Sequence, residues 1–229
     1  MTPTTTWHDY IVGFDLETTG VDPDTARIVS AAVVDFEDGE RVDAVEWAVD
    51  PGIPIPEEAT AVHGVSESER IGRQPHDEAV LEIVEELGDA WRAGYTVVVF
   101  NAPFDLTLLQ TRAREAGAEF TVGGNVVDPL VIDRYLDRYR KGRRTLEAMS
   151  GHYGVTLENA HDATADADAA VRLALAVAER WPEELADATL MERQARWSAE
   201  NEEGLRAWLR KQGKLTGHLR SGWPIRDPR

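Results

Sequence analysis

YIVGFDLETTG, residues Tyr10–Gly20, decides how the chain is read. Its first half is an apolar run of the kind that forms a buried strand, and its end, Thr18-Thr19-Gly20, is a turn signal. Two carboxylates, Asp15 and Glu17, stand at the carboxyl end of that strand. Side chains alternate along a strand, so residues two apart share a face. Like charges held that close repel, and the arrangement becomes favourable when a cation sits between them. Asp15 and Glu17 are therefore either polar residues entering a turn or part of a metal site.

Working outward, residues 27–36 (RIVSAAVVDF) and 41–49 (RVDAVEWAV) read as two further strands, joined by a link with an Asp38-Gly39 hairpin signal. The three make an antiparallel meander. Residues 51–66 read as a proline-rich loop. Residues 77–93 carry an apolar helical stripe at Val80, Leu81, Val84, Leu87 and Trp91. TVVVF (96–100) is a short apolar strand, and Pro103 opens a helix running to about Ala116, where its missing N–H costs nothing. Val126-Val127 is a short strand, and Pro129 opens another helix. Thr145 caps a helix that ends near Tyr153, and residues 163–181 form an alanine-rich helix. Five strands in a mixed sheet, with helices alternating in the second half, predict an α/β layer fold. After Pro182 the pattern is helical and polar, and Gly217–Pro224 is an aromatic, glycine-containing tail with no clear element.

Composition bounds the function. The chain has 229 residues with 42% hydrophobic content, enough for a sizeable core. Its 24 Lys+Arg against 42 Asp+Glu give a formal net charge of -18, which excludes a generally basic protein that coats duplex phosphates. The excess is local: residues 1–90 hold 4 Lys+Arg and 22 Asp+Glu, and the remainder holds 20 of each. Most of those acidic residues read as a solvated surface that keeps the protein soluble. Cysteine is absent, so disulfides, zinc thiolates and thiol nucleophiles are excluded. The first residues carry neither a basic nor an apolar targeting segment, and no apolar run reaches the roughly 18 residues of a membrane span. A cytoplasmic protein with no membrane partner is the expectation.

Two more segments carry chemistry. In Asn101-Ala-Pro-Phe104-Asp105 another carboxylate follows the end of another strand, one turn into the next helix. It suits helix capping, worth about 0.3–1 kcal/mol, and equally a crevice at the carboxyl ends of strands. In His161-Asp162-Ala-Thr-Ala-Asp166-Ala-Asp168, Asp162 is the N-cap and Asp166 lies one turn in. His161, just outside the helix, can point at the same space as Asp166, whereas Asp168 projects elsewhere into solvent. Four carboxylates on three elements plus one imidazole suit two hard divalent ions, Mg²⁺ or Mn²⁺, clamping a phosphodiester. Histidine, with an ordinary pKa near ~6.5, is suited to take a proton from the attacking water.

On these three segments, Phe14–Gly20, Asn101–Asp105 and His161–Asp166, the chain resembles the DnaQ-like 3′→5′ exonucleases of the DEDDh type. The loop Ile55–Ser66, with His63-Gly64, and Arg144-Thr145-Leu146 look like intervening landmarks of that family. The likeness runs from about residue 10 to 180. It implies a ribonuclease-H-like fold in residues 8–182, followed by a helical extension and tail in 183–229. It implies that Asp15, Glu17, Asp105 and Asp166 hold two metal ions, with His161 as general base. Leu16, Thr18, His63, Asn101 and Phe104 would surround the nucleotide at a single-stranded 3′ end, and nucleoside 5′-monophosphates would be released. Phe104 is either core or a base-stacking platform worth about 1–3 kcal/mol per base.

DNA is the favoured substrate, with RNA the alternative, because tolerance of the 2′-OH rests on a few side-chain positions. A haloacid-dehalogenase-type phosphatase is the rival from another class, imitated by Asp15-Leu16-Glu17-Thr18 and Asp162-x-x-x-Asp166. Against it, Glu17 stands where that family needs Asp, and Asn101 where it needs Ser or Thr. The resemblance also raises a DNA polymerase as partner. The tail matches no polymerase-binding segment, however, so a stand-alone nuclease stands equal to it. Basic residues cluster in 134–144, six Lys+Arg against one Asp, and in 204–229, seven against one. Each is either a solvated face or a track for single-strand phosphates, with Arg143 and Arg144 the residues expected to grip.

Overall fold

The computed structural model describes residues 7–186, 189–217 and 219–228. Met1–Thr6, and His218 and Arg229 of the tail, lie outside the described residues. The antiparallel meander is present as β1 (Tyr10–Thr18), β2 (Ile28–Glu37) and β3 (Glu40–Asp50). Asp38 and Gly39 turn the β2–β3 hairpin at φ 51° and 81°, as an Asp-Gly pair with two left-handed residues should. β5 (Thr96–Val98) and β6 (Val126–Val127) add in parallel beyond β1. To the five strands expected, the fold adds a sixth, β4 (Gln74–Pro75), whose two residues pair with the end of β3. Such a strand carries no periodicity to read. The sheet order is β4-β3-β2-β1-β5-β6.

Helices cover both faces. Even-numbered residues of β1, Val12, Phe14 and Leu16, join a core with Ile83, Leu87 and Trp91 of α2 (His76–Ala93) and Leu106 and Leu109 of α3 (Ala102–Glu115). Ile11 on the opposite face joins a second core with α4 (Pro129–Leu136), α5 (Leu146–Tyr153) and α6 (Ala163–Arg180). Burial on both faces explains why β1 reads as a continuous apolar run. α6 approaches β1 as closely as a backbone permits. A Cβ at Gly13 would lie 2.5 Å from the Ala167 carbonyl oxygen and 2.8 Å from a Val171 methyl.

Residues 51–66 are not wholly loop. A seven-residue helix, α1 (Glu57–His63), sits inside them, closed by Gly64 at φ 76°. Its prolines hid it, yet Pro56 only precedes the first turn, where proline costs nothing. Beyond α7 (Pro182–Leu185), the long α8 (Leu190–Lys211) returns to the body. Its Trp197 is 1% exposed in the second core and stacks on Tyr135 at 4.8 Å. α8 also closes the edge of β6. The Val126 N–H donates to Met191 Sδ, while the Gln194 amide donates to the Val126 carbonyl and accepts from the Asp128 N–H.

Candidate active site

The strand order reverses at β1, with β2 on one side and β5 on the other, and that switch point, at the carboxyl ends of β1 and β5, is where an open α/β sheet forms its crevice. Three elements deliver carboxylates into it. β1 presents Asp15 and Glu17 on the face toward α6. α3 presents Asp105, and the first turn of α6 presents Asp166. Glu17, Asp105 and Asp166 are 8%, 4% and 8% exposed, a burial that ionised carboxylates tolerate only with partners. Burial, then repulsion from Asp105, Asp166 and Glu17, holds Asp15 well above the ordinary carboxylate range. Burial and repulsion from Asp166 and Asp162 push Glu17 up to about 8. Asp105 is likewise raised well above its usual range, mainly by burial, and Asp166 is raised for the same reason. Four acids that resist ionisation together are what a bound cation would relieve.

His161 completes the group. Its backbone is left-handed at φ 71°, and its N–H donates to the Asp166 carboxylate at 3.3 Å. Asp162 then caps α6 by accepting from Ala165 N–H, as the sequence predicts. Ligand atoms of Glu17, His161 and Asp166 all lie within 4.8 Å of one another. Oxygen donors, one imidazole and no thiol fit a hard divalent cation such as Mg²⁺ or Mn²⁺. Asp168 faces away, yet it is not simply solvated: it pairs with Arg172 one turn on at 2.6 Å.

The residues expected around a nucleotide lie at the same end. Thr18 is half-buried and donates its hydroxyl to the Gly20 carbonyl at 2.8 Å. The Leu16 side chain is 6% exposed and belongs to the first core. Phe104 is partly buried against that core, so it packs and still offers an open face. His63, at the end of α1, accepts from the Val65 N–H through Nδ1, which places its proton on Nε2. That Nε2 is buried beside the Thr18 backbone without a hydrogen bond of normal geometry. Burial, Arg73 and His161 hold the His63 pKa below its usual value.

Asn101 precedes α3 in the left-handed region, φ 67° and ψ 47°, and its side chain makes no cap. The cap comes from Asp128, which the sequence reading passed over although an Asp before Pro129 is a helix-start signal. Asp128 is fully buried and accepts from the N–H groups of Asn101 and Ala102 at 3.1 and 3.0 Å. It also caps α4 through Leu130 and Val131.

Of the basic cluster at 134–144, Arg140 and Arg144 are bound to the fully buried Asp133 at 2.9 and 2.6 Å. Arg144 is thus committed to the fold rather than free to grip a phosphate. Arg138, Lys141 and Arg143 remain exposed.

With this geometry, the model of the RNase T exonuclease family matches residues 12–174. The chain belongs to the RNase T exonuclease family, the DnaQ-like nuclease hydrolases. Among the chain's relatives, a DNA polymerase III PolC-type of Clostridium perfringens is 30% identical over 165 residues, 72% of this chain and 11% of that one. A DNA polymerase III subunit epsilon-like protein of Rhodobacter capsulatus is 33% identical over 178 residues, 74% of this chain and 24% of that one. The chain therefore spans between about a tenth and a quarter of the length of these two relatives. In fold it is similar to E. coli exonuclease I, solved in complex with a dA16 oligonucleotide. The TM-score is 0.69 at 17% identity over 82% of this chain and 44% of that one. A haloacid-dehalogenase phosphatase is thereby set aside. No helix among the described residues is long and apolar enough to cross a membrane.

Proposed function

We propose that this exonuclease shortens single-stranded nucleic acid, DNA in preference to RNA, from its 3′ end and releases nucleoside 5′-monophosphates. The observation that carries the reading is the meeting of Asp15, Glu17, Asp105 and Asp166 from three elements in one crevice, with His161 beside them. The four carboxylates would hold two divalent ions, Mg²⁺ or Mn²⁺. When bound, such a pair stabilises the charge on the attacking and leaving oxygens of a phosphodiester.

The chain's own residues do the rest. His161, at the exposed rim and anchored by its backbone to Asp166, takes a proton from the attacking water. The water oxygen bonds to phosphorus, the bond from phosphorus to the 3′ oxygen breaks, and that oxygen stays on the shortened strand and takes a proton from solvent, to which His161 returns the one it received. Thr18, Asn101 and the edge of Leu16 border the terminal nucleotide, and Phe104 stacks on its base. His63 Nε2, held beside the Thr18 backbone, would turn its proton to a sugar or phosphate oxygen of the nucleotide. Residues 8–182 form the unit that performs this chemistry, with 183–229 as its extension, and a cytoplasmic location goes with the reading. Association with a DNA polymerase is its extension, supported by the polymerase III names of the relatives.

The test uses 5′-labelled DNA and RNA strands of equal sequence with Mg²⁺, Mn²⁺ or EDTA. Single-nucleotide shortening from the 3′ end that EDTA abolishes is expected, faster on DNA. Cleavage that persists in EDTA, or release of phosphate from small monoesters only, would overturn the proposal.

A further inference from the structure

Asp105 enters the crevice from the first turn of α3, so its position is set by how that helix starts. The start is unusual. The chain leaves β5, passes through Asn101 in the left-handed region, and becomes helical at the next residue. Asn101 makes no side-chain cap for this turn; within α3 its carbonyl accepts the Phe104 N–H at 2.9 Å. The turn is also held from 27 residues away by Asp128, whose two oxygens each take one N–H: Oδ1 from Asn101 at 3.1 Å and Oδ2 from Ala102 at 3.0 Å. Oδ1 also takes the N–H groups of Leu130 and Val131 at 3.0 and 3.3 Å. One fully buried carboxylate thus orients two helix starts, and charge-assisted bonds of this kind are among the stronger ones.

Asp128 is itself gripped by the C-terminal extension. Its backbone N–H donates to Gln194 Oε1 at 2.8 Å, and Gln194 Nε2 donates to the Val126 carbonyl at 2.9 Å. Gln194 is fully buried, and its amide pairs with the edge of β6 as a strand residue would. The indole N–H of Trp223 reaches Asp128 Oδ2 at 3.4 Å, and the indole packs against both cores. Three residues on, the Arg226 N–H donates to Thr107 Oγ1 at 2.9 Å, two residues past Asp105 on α3. The extension therefore meets the start of α3 directly at Thr107 and through Asp128.

We propose that Asp128 is a positioning residue for Asp105, and that Gln194 and Trp223 extend the ion-holding apparatus into the C-terminal extension. The inference rests on the proposed two-ion nuclease. Groups that hold a metal ligand from behind typically alter metal affinity or activity by about 10–100-fold when replaced.

The test measures Mn²⁺ binding to the full chain by the loss of the free-ion EPR signal, and separately kcat and KM for a single-stranded oligonucleotide. Asp128→Asn is expected to weaken Mn²⁺ binding about tenfold or more and to lower kcat with KM little changed. Gln194→Leu and Trp223→Phe, which leave the carboxylate in place, should move both quantities in the same direction by less, and they carry the test if Asp128→Asn does not fold. Asp133→Asn, at a buried aspartate that binds arginines instead, reports simple destabilisation. Wild-type Mn²⁺ affinity in all three variants, or a loss no greater than in Asp133→Asn, overturns the proposal. A wild-type chain that binds Mn²⁺ but leaves oligonucleotides intact would sink the nuclease reading alone, and the Mn²⁺ comparison would still decide this one.

Discussion

Gly13→Ala adds one methyl where β1 and α6 touch, and its effect follows from the geometry. The new Cβ would lie 2.5 Å from the Ala167 carbonyl oxygen, 2.8 Å from Val171 Cγ2 and 3.0 Å from the Ala167 carbonyl carbon. Comfortable contacts begin near ~3.5 Å, so about 1 Å must be found. Two of the three obstacles are helix backbone, which cannot rotate aside as a side chain would. Either α6 lifts or β1 bends. Overpacking of this kind costs about 1–3 kcal/mol of stability. Asp166 immediately precedes Ala167, so displacement of α6 reaches the crevice undiminished. A shift of about 1 Å in a reacting group costs about 100-fold in rate, equivalent to about 2.7 kcal/mol. The assays are urea denaturation and single-turnover shortening of a 5′-labelled strand at saturating Mg²⁺. Gly151→Ala in α5, where nothing lies within 4 Å of the added Cβ, is the control. It should leave the rate unchanged and stabilise by about 0.5–1 kcal/mol. Wild-type stability and rate in Gly13→Ala would refute the close seating of α6. Lost stability with an unchanged rate would refute its transmission to Asp166.

His161→Ala should lower kcat by about 10²–10⁴-fold with Mn²⁺ affinity retained; a matching loss of Mn²⁺ affinity would make His161 a ligand instead of the base. The metal-free protein should lose stability as pH rises. Glu17 ionises near its ordinary value when unfolded but only at about 8 when folded, so between those values the native state holds the extra proton and each step up in pH favours unfolding. The melting temperature in EDTA is therefore expected to fall from pH 5 to 8, less steeply in Glu17→Gln, and Mg²⁺ should raise it most at pH 8; equal slopes in the two proteins would contradict this. Asp133→Asn removes the negative charge that Arg140 and Arg144 share and replaces one of the two accepting oxygens with an NH2 donor. A loss of about 3–5 kcal/mol in urea is expected, and less than 1 kcal/mol would show that the arginines find other partners.

Much of the site was legible because its parts are local. A carboxylate pair two apart on a strand, an acid one turn into a helix after a proline, and a histidine next to an Asp cap are each fixed by a few neighbouring residues, and Asp162, Thr145 and the Asp38-Gly39 turn appear as read. Arg144 was misjudged for the opposite reason. Its partner, Asp133, lies 11 residues away and is buried only after folding. α1 was missed because its seven residues are short and its prolines sit beside it rather than in it.

The sequence by itself determined the strand–helix alternation, the doubly buried β1, and the carboxylates and imidazole that suit hard cations. Tertiary structure alone decided that Gly13 is a seat for α6, that Asp128 governs the start of α3, and that Gln194 and Trp223 reach back to hold it. Periodicity and capping are short-range consequences of backbone geometry, visible in any window of a dozen residues. A carboxylate that takes N–H groups 27 residues upstream, with its own N–H taken 66 residues downstream, is a product of packing. No local pattern encodes it, because its energy exists only once both cores have closed and water has left those bonds.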